Sequence, residues 1–497
     1  MGEWVDIPLT AQEGEDKSSY VSDTELVNLM LKPTPPGSRA PFYISSTPSL
    51  STSVIDSTTG GSGIIRGICS ERSGNQHRLF AVQGTGFYIT SNTGTTWSEL
   101  NVGDTMPGAT WCRMIDTGTH IVIADGTNVR CSDRSNVLAT PSIEVFIDVA
   151  AQDGYTIYLK KDSDTMYVSS LDDPTTIGAL DFTSVDAVPG TNVAVVSNGR
   201  ELFVVKGRSI EHYYNSGGAG FPFVRGSPGV IERGSLTAST SSPGNNSGGM
   251  RGVNTVHKHK DSIYFVGDDC SVYALRSYTP QKISTPWVDK YIQDVTGAAS
   301  FSRLHGAVFD LNGQSYYLLN GFIRNAQNES LVYDIDNGLW HRRYSPLGTE
   351  RHITHVINHQ LTDSNTNFHN ICIAVLADSS SGNGVIYTLD PDGTNDAGAS
   401  SQTTRTMTMP QLSYGVRTFM SELYLDMEKP SATGSITLSW SDDGGATYTS
   451  GITKDGSSAR TRWHRLGSFY NRILRFTFSI NSKLAIMGVR ARLEVGV

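Results

Sequence analysis

One short pattern, strand, turn, strand, turn, strand, recurs along this chain and leaves little room for anything but a repeat fold. Its clearest copy is Val193–Tyr214, VAVVSNGRELFVVKGRSIEHYY. Val193, Val195 and Val196 lead into Ser197-Asn198-Gly199, a tight-turn signal because Asn and Gly tolerate positive φ. Leu202, Phe203, Val204 and Val205 form an apolar run with the β-branched and aromatic bias of a buried strand. Lys206-Gly207 turns the chain again, and Ile210, His212 and Tyr214 alternate along a third strand.

Similar units occupy Arg78–Trp97, Met114–Cys131, Phe146–Ser169, Val253–Leu275, His305–Trp340 and, more loosely, Thr354–Leu389. Asp125-Gly126 and Asp153-Gly154 mark hairpin turns, and helical periodicity is nearly absent. In an array of this kind blades of four strands recur every ~40–50 residues, so residues 64–395 hold roughly six or seven. The predicted fold is all-β: a β-propeller at 64–395, preceded by an extended N-terminal arm at 1–63 and followed by a C-terminal antiparallel β-sandwich at 396–497. The arm is inferred from Lys32-Pro33-Thr34-Pro35-Pro36-Gly37, where proline removes donors and disfavours helix before it. Gly217–Arg251 is too long for a plain connection and is expected to project as a loop. The sandwich is inferred from alternating segments such as SITLSWS, ILRFTFS and AIMGVRARLEV.

Composition narrows the function more than the fold. A formal charge of −9 over 497 residues argues against a general nucleic-acid binder, whose phosphate contacts need clustered Lys and Arg. It is compatible with a channel wall along which DNA slides. Cys69, Cys112, Cys131, Cys270 and Cys372 are odd in number, scattered and free of CxxC spacing, as expected of free thiols in a reducing compartment. MGEWVDIPLT does not read as a signal peptide, and no run reaches the ~18 apolar residues of a membrane helix. The expectation is a soluble protein made in the cytoplasm.

No catalytic constellation emerges. Two segments, Thr90–Trp97 and Ser441–Tyr448, share the pattern S/T-x-D/N-x-G-x-T-aromatic, with Asn92, Gly94 and Trp97 in one and Asp443, Gly445 and Tyr448 in the other. They resemble the Asp-box of sialidase-like propellers, a structural hairpin turn. A glycoside-cleaving or carbohydrate-binding propeller, with Trp97, Trp111, Trp287 and Trp340 as sugar platforms, is therefore the alternative reading. It lacks an identifiable nucleophile and acid. His257-Lys258-His259-Lys260 places two histidines on one side of a strand without a third ligand at zinc spacing, which suits a polar blade edge. Asp268-Asp269 and Asp442-Asp443-Gly444 lack the alternating oxygens of a calcium loop, and Val205-Lys206-Gly207-Arg208-Ser209 is no P-loop. No cofactor and no metal site is expected, and the chain reads as no enzyme.

Positive charge gathers near the end of the chain, at Arg460, Arg462, His464, Arg465, Arg472 and Arg475. Alternation puts Arg460, Arg462 and His464 on one side of a strand and Trp463 on the other. A docking face for an acidic partner is the functional reading of these six residues, with an ordinary polar sheet face beside it, and contact with nucleic acid ranks below both.

The same region carries a resemblance. WSDDGGATY, RWHRLGSFYNRILRFTFS and AIMGVRARLE resemble the end of the tail-hub proteins of short-tailed bacteriophages, also called tail nozzles or packaged-DNA stabilisation proteins. Asn198–Gly220 and Val27–Pro35 are similar to earlier parts of that family, in the same order. The resemblance implies a structural virion protein of the podovirus tail, assembled in the host bacterial cytoplasm as a homo-hexamer below the portal and adaptor ring. It also implies contact with a tail needle or plug and with tailspikes or fibres, retention of packaged DNA, and a conduit for its ejection without sequence-specific binding.

Overall fold

The computed structural model describes residues 2–9, 24–34, 41–52, 59–71, 77–91, 96–100, 106, 111–127, 129–135, 137–138, 144–218, 220–235, 253–295, 304–324, 327–344, 351–362, 368–378, 384–394, 396 and 404–496. Among these the chain is nearly all strand, with one α-helix and one short 3-10 turn. It separates into two compact units: Thr52–Arg324 with Thr349–Thr388, and Met1–Ser51 with Asn325–Gly348 and Leu389–Val497. This division differs from the expected spans, because residues 325–348 and 1–51 group with the C-terminal strands.

The first unit is a β-propeller, and the described residues form six four-stranded sheets. Five are meanders whose strands pair in chain order, over residues 65–100, 113–138, 146–184, 192–231 and 257–282. The sixth is built on Arg351–Thr362, Phe368–Asp378 and Val385–Asp390. The first strands of successive sheets neighbour one another in a closed ring, with the hairpin His305–Leu311 and Gln314–Arg324 taking a place between the fifth and sixth sheets. The fourth blade shows why the sequence folds this way. Asn198 and Glu201 flank a turn in which Gly199 takes φ +68°, and Val195↔Val204 and Val204↔Glu211 set the register of three strands. Leu202, Val204 and Tyr213 pack with Ile157, Leu159 and Met166 of the preceding blade, while Phe203, Val205 and Ile210 pack with Ile263, Phe265 and Leu275 of the next. A blade apolar on both faces cannot stand alone. Stacking is its only way to bury both.

Two expectations are corrected. The loop projected over Gly217–Arg251 contains Phe223–Ile231, the fourth strand of its blade, antiparallel to Ile210–Asn215. Gly226, Pro228 and Gly229 disguise it as a turn, but an outer strand needs only one edge paired and tolerates such residues. Residues 236–252 lie outside the described residues. Against the near absence of helical periodicity, Pro286–Val295 forms a helix. Its proline occupies the first helical position, Thr285 Oγ1 accepts the Val288 amide at 3.3 Å, and Trp287, Val288, Tyr291 and Ile292 form its buried face.

The second unit is a sheet assembled from distant segments. Glu3–Ile7 runs antiparallel to Ala485–Val495, with Ile7 opposite Val489. Glu25–Val27 pairs with Arg405–Thr408 and, in parallel, at Val27↔Arg342. Phe42–Ser46 pairs with Leu29–Pro33 and joins Ala485–Val495 at Ser45 and Ile44. Within the span expected to form an extended arm, Glu3–Ile7, Glu25–Val27, Leu29–Pro33 and Phe42–Ser46 are thus strands of this sheet. The apolar residues Leu26, Leu29 and Ile44 join one core with Met407, Leu423, Trp463, Phe476 and Phe478. Leu412–Met427 is shared: its first part pairs with Ser468–Ile480 and its second with Ala485–Val495 and Arg460–His464.

Candidate functional site

Polar and aromatic side chains from several blades meet towards the middle of the propeller. Arg113, on the first strand of the second blade, pairs through Nε with Asp148 of the third blade at 3.0 Å and donates through Nη2 to the Val256 carbonyl at 3.0 Å. Val256 immediately precedes the first strand of the fifth blade, so this side chain crosses the ring. Asp148 Oδ2 also accepts the Val195 amide of the fourth blade at 2.8 Å. Burial raises the Asp148 carboxyl above its ordinary value, against the pull of Arg113 and the Val195 amide. Trp111 lies edge-on to His305 at 4.4 Å and beside His355 at 5.6 Å. His257 donates through Nε2 to the Asn254 carbonyl at 3.0 Å. Burial, with Arg113 adding to it, pushes His257 down to about 3 and His355 down to about 4, so both are neutral at pH 7. A Cβ on Gly67 would stand 2.9 Å from the Cys112 carbonyl, and one on Gly306 3.0 Å from the His257 ring, so glycine lets these strands crowd inward. The propeller axis carries a half-exposed plug of ion pair, imidazole and indole.

Several joints between blades carry polar latches, buried or half-buried. Arg66, fully buried on the first blade, donates to the Gly84 and Met106 carbonyls and pairs with the buried Asp125 of the second at 3.0 Å. Lys206 of the fourth blade reaches the Val185 carbonyl and, at 2.5 Å, the Val188 carbonyl that follow the third. This occupies the lysine of Val205–Ser209 and accounts for that motif structurally. Asn358 and Asp310 join the hairpin to the sixth sheet, and Ser70 with His359 at 2.8 Å joins the sixth to the first. These latches had no signal in the sequence, because each joins residues from different blades.

The histidines of 257–260 lie on the first strand of the fifth blade, not on an outer edge, and His259 faces Asp310 at 3.4 Å. Asp269 accepts the Ser271 amide at 3.0 Å and the Tyr273 hydroxyl at 2.7 Å, which makes it a turn residue. Among the described residues no group of three His, Cys, Asp or Glu side chains is placed to hold a metal, and the five cysteines form no disulfide.

The turn at Ser441–Tyr448 is a local hydrogen-bond knot. Ser441 Oγ donates to Asp443 Oδ1 at 2.6 Å and accepts the Gly445 amide at 2.8 Å, and the Asp443 carboxylate takes the Thr447 amide at 3.0 Å and its hydroxyl at 2.5 Å. The bonds from Ser441 and Thr447 hold Asp443 down at about 2. Tyr448 lies under the Arg475 guanidinium, 3.6 Å from the ring centre. Of the matching turn, Asn92 and Gly94 lie outside the described residues; Ser91 and Thr96 close it through a 2.8 Å backbone bond, and Trp97 is half-buried. Trp287 and Trp340 are core residues and Trp111 packs on histidines, so three of the four candidate sugar platforms face inward.

The basic cluster divides. Arg460, Arg462, His464 and Arg465 are exposed, while Trp463 points into the core and donates to the Ile452 carbonyl at 3.0 Å. Arg460 pairs with Asp426 at 2.6 Å over the Tyr424 ring, and Arg462 faces Glu422 at 3.5 Å. Arg472 is corrected from docking residue to core residue: it is 2% exposed, bonds Asp442 twice at 2.7 Å and donates to the Leu466 carbonyl at 2.6 Å. Its strand alternates, and its position falls on the inward side. Arg475 is half-buried, bonded to Thr408 Oγ1 at 3.1 Å.

The chain matches the family model Phage_stabilise, described as Bacteriophage P22 Gp10, β-propeller, over residues 5–336. No curated protein matches it. Among solved structures it is similar to the Neurospora crassa Pan2 WD40 domain, at 8% identity over 66% of this chain and 89% of that one with a TM-score of 0.35. A chain of a mitotic checkpoint complex matches at 9% identity over 72% and 95%, with a TM-score of 0.39. Kluyveromyces lactis Hsv2 matches at 12% identity over 65% and 97%, with a TM-score of 0.30. Scores this low carry no argument about the chain.

Proposed function

Because the chain belongs to the phage-stabilisation family of bacteriophage P22 Gp10, a family of phage structural β-propellers, we propose that it is the hub, or nozzle, of a short phage tail. In this reading several copies, six by the family resemblance, form a ring below the portal and adaptor, retain the packaged genome together with a needle or plug, and carry spikes or fibres. No reaction is involved. The propeller supplies rigidity: ion pairs and hydrogen bonds buried between the first four blades leave little freedom among them.

The observation that carries the mechanism is the Arg113–Asp148–Val256 plug. A propeller whose axis is crossed by side chains supports a conduit bounded by several copies rather than one running through any single chain. DNA would then meet outer loops and blade surfaces, and the chain's net charge of −9 suits a wall that does not hold phosphate. The experiment is production of particles without this chain. Heads that fill and then lose their genomes to added nuclease, with the chain located by immunogold at wild-type tails, are expected. Stable, infectious particles lacking the chain would overturn the proposal.

A further inference from the structure

We propose that two exposed corners of this chain are the two halves of one head-to-tail contact between copies. An acidic, apolar corner of the third blade, centred on Leu171, Asp172, Leu180 and Phe182, docks on a basic, aromatic corner of the sheet unit of a second copy, centred on Val416, Arg417, Phe419, Arg465 and Tyr470. The inference rests on the hub reading, since a ring closed by rotation needs two different complementary surfaces on each subunit.

Charge is divided unevenly along the chain. Residues 144–191, the third blade and its exit, carry nine Asp and Glu against two Lys, a net of −7 within a chain of −9. Residues 403–497 carry twelve Lys and Arg against seven Asp and Glu, a net of +5. The third blade also displays apolar side chains: Leu180 is 85% exposed, and Leu171 and Phe182 are exposed as well. Their backbone is held in place, because the Asp172 amide bonds the Gly154 carbonyl at 2.8 Å and the Val168 amide bonds the Asp181 carbonyl at 3.0 Å. Thr119 Oγ1 of the second blade bonds the Asp172 carbonyl at 3.3 Å. Leucines held on ordered backbone within an acidic rim are the composition of a contact surface.

The second corner has the opposite charge and the same apolar content. Thr418 pairs with Phe469 and Phe419 with Ser468, which brings residues 416–419 beside 468–470. Arg417 Nε bonds Ser468 Oγ at 3.0 Å, and its guanidinium lies over the Phe419 ring at 5.7 Å. Tyr470 is 60% exposed, and Val416, Phe419 and Arg465 are exposed around it. Opposite charges around apolar centres favour this pairing over a symmetric one, since either corner placed against its own copy sets like charges face to face.

Two full-length variants test it by analytical ultracentrifugation: Leu171→Asp with Leu180→Asp, and Arg417→Glu with Tyr470→Asp. All four positions are exposed, and an unchanged thermal midpoint establishes that each variant is folded. Wild type is expected to self-associate, and each variant alone to associate at least ~tenfold more weakly, the loss of one central contact residue. Mixed in equal amounts, the two variants retain one good acidic and one good basic corner between them. They should form a heterodimer and nothing larger. Wild-type rings that survive in both variants overturn the corner assignment and leave the hub reading standing. A mixture that stays monomeric while wild type forms rings overturns the head-to-tail pairing. A wild-type chain that remains monomeric at every concentration and is missing from tails overturns both.

Discussion

The two units solve the same problem, burying both faces of β-strands, in opposite ways. Each of the first five blades is a contiguous stretch, such as 146–184 or 192–231, whose strands pair with their neighbours in sequence. The sheet unit joins Glu3–Ile7 to Ala485–Val495 and Glu25–Val27 to Arg405–Thr408, across nearly the whole chain. Their interiors differ too. Apolar clusters in the propeller lie between successive blades, with Arg66–Asp125 and Arg113–Asp148 at the joints, whereas the sheet unit has one apolar core running from Ile7 to Leu493, with the ion pairs Arg343–Asp396 and Arg472–Asp442 beside it. Locally formed parts need directional latches to fix how they stack. Parts that close over a long loop register themselves through the ladder and the core.

Acid should separate the two most strongly. In the propeller, loss of water pushes the half-buried His257 and His355 and the buried His359 down to about 3, 4 and 4, and in the sheet unit it pushes the buried His341 to about 3. Each folded-state value lies below the ordinary 6.5, so between pH 6.5 and about 4 the unfolded chain binds more protons and stability falls as pH falls. Each such histidine contributes a slope of up to about 1.4 kcal/mol per pH unit in that window. Asp148, raised by burial, works the other way as it protonates. Hydrogen exchange at pH 7 and 4.5 should show blade peptides losing protection ahead of 404–496; equal loss in both would break the comparison.

Substitutions can strike one unit at a time. Asp125→Ala leaves the buried Arg66 guanidinium without its carboxylate and should cost about 3–5 kcal/mol, seen as faster exchange in the first two blades. Trp463→Ala removes a fully buried indole and its bond to Ile452, and should cost about 3–5 kcal/mol, seen instead in residues 404–496. If either change loosens both units equally, they fold as one.

The same contrast explains how much could be read in advance. The blades were legible because their signals are local: Asn198-Gly199 and Asp153-Gly154 sit at hairpins, and the apolar runs between them are strands. The Ser441–Tyr448 knot was legible for the same reason. Phe223–Ile231 was hidden by Gly and Pro that an outer strand tolerates, and the helix by its brevity. The strands before Pro48 gave no sign of their partners, because pairing between Glu3 and Leu493 depends on tertiary closure. The axial plug was illegible as well: Arg113, Asp148 and His257 are ordinary polar residues until the ring brings them together. Arg472 looked like its exposed neighbours until alternation along Ser468–Ile480 turned it inward.

The smallest expected effect lies in that arginine cluster. Arg460 sits on the solvent side of its strand with Asp426 and the Tyr424 ring beside it, where water screens the pair and competes for both ends. Arg460→Ala should leave the thermal midpoint unchanged within error. Arg472, twelve residues on, holds Asp442 through two bonds and caps the Leu466 carbonyl from inside the sheet, so Arg472→Ala should lower the midpoint and cost about 1.5–3 kcal/mol. If Arg460→Ala destabilises the chain as much as Arg472→Ala, the exposed face is structural. If instead it leaves stability intact but weakens tail incorporation, Arg460 belongs to a contact surface, and the basic side of that sheet reaches a partner beyond the Arg417–Tyr470 corner.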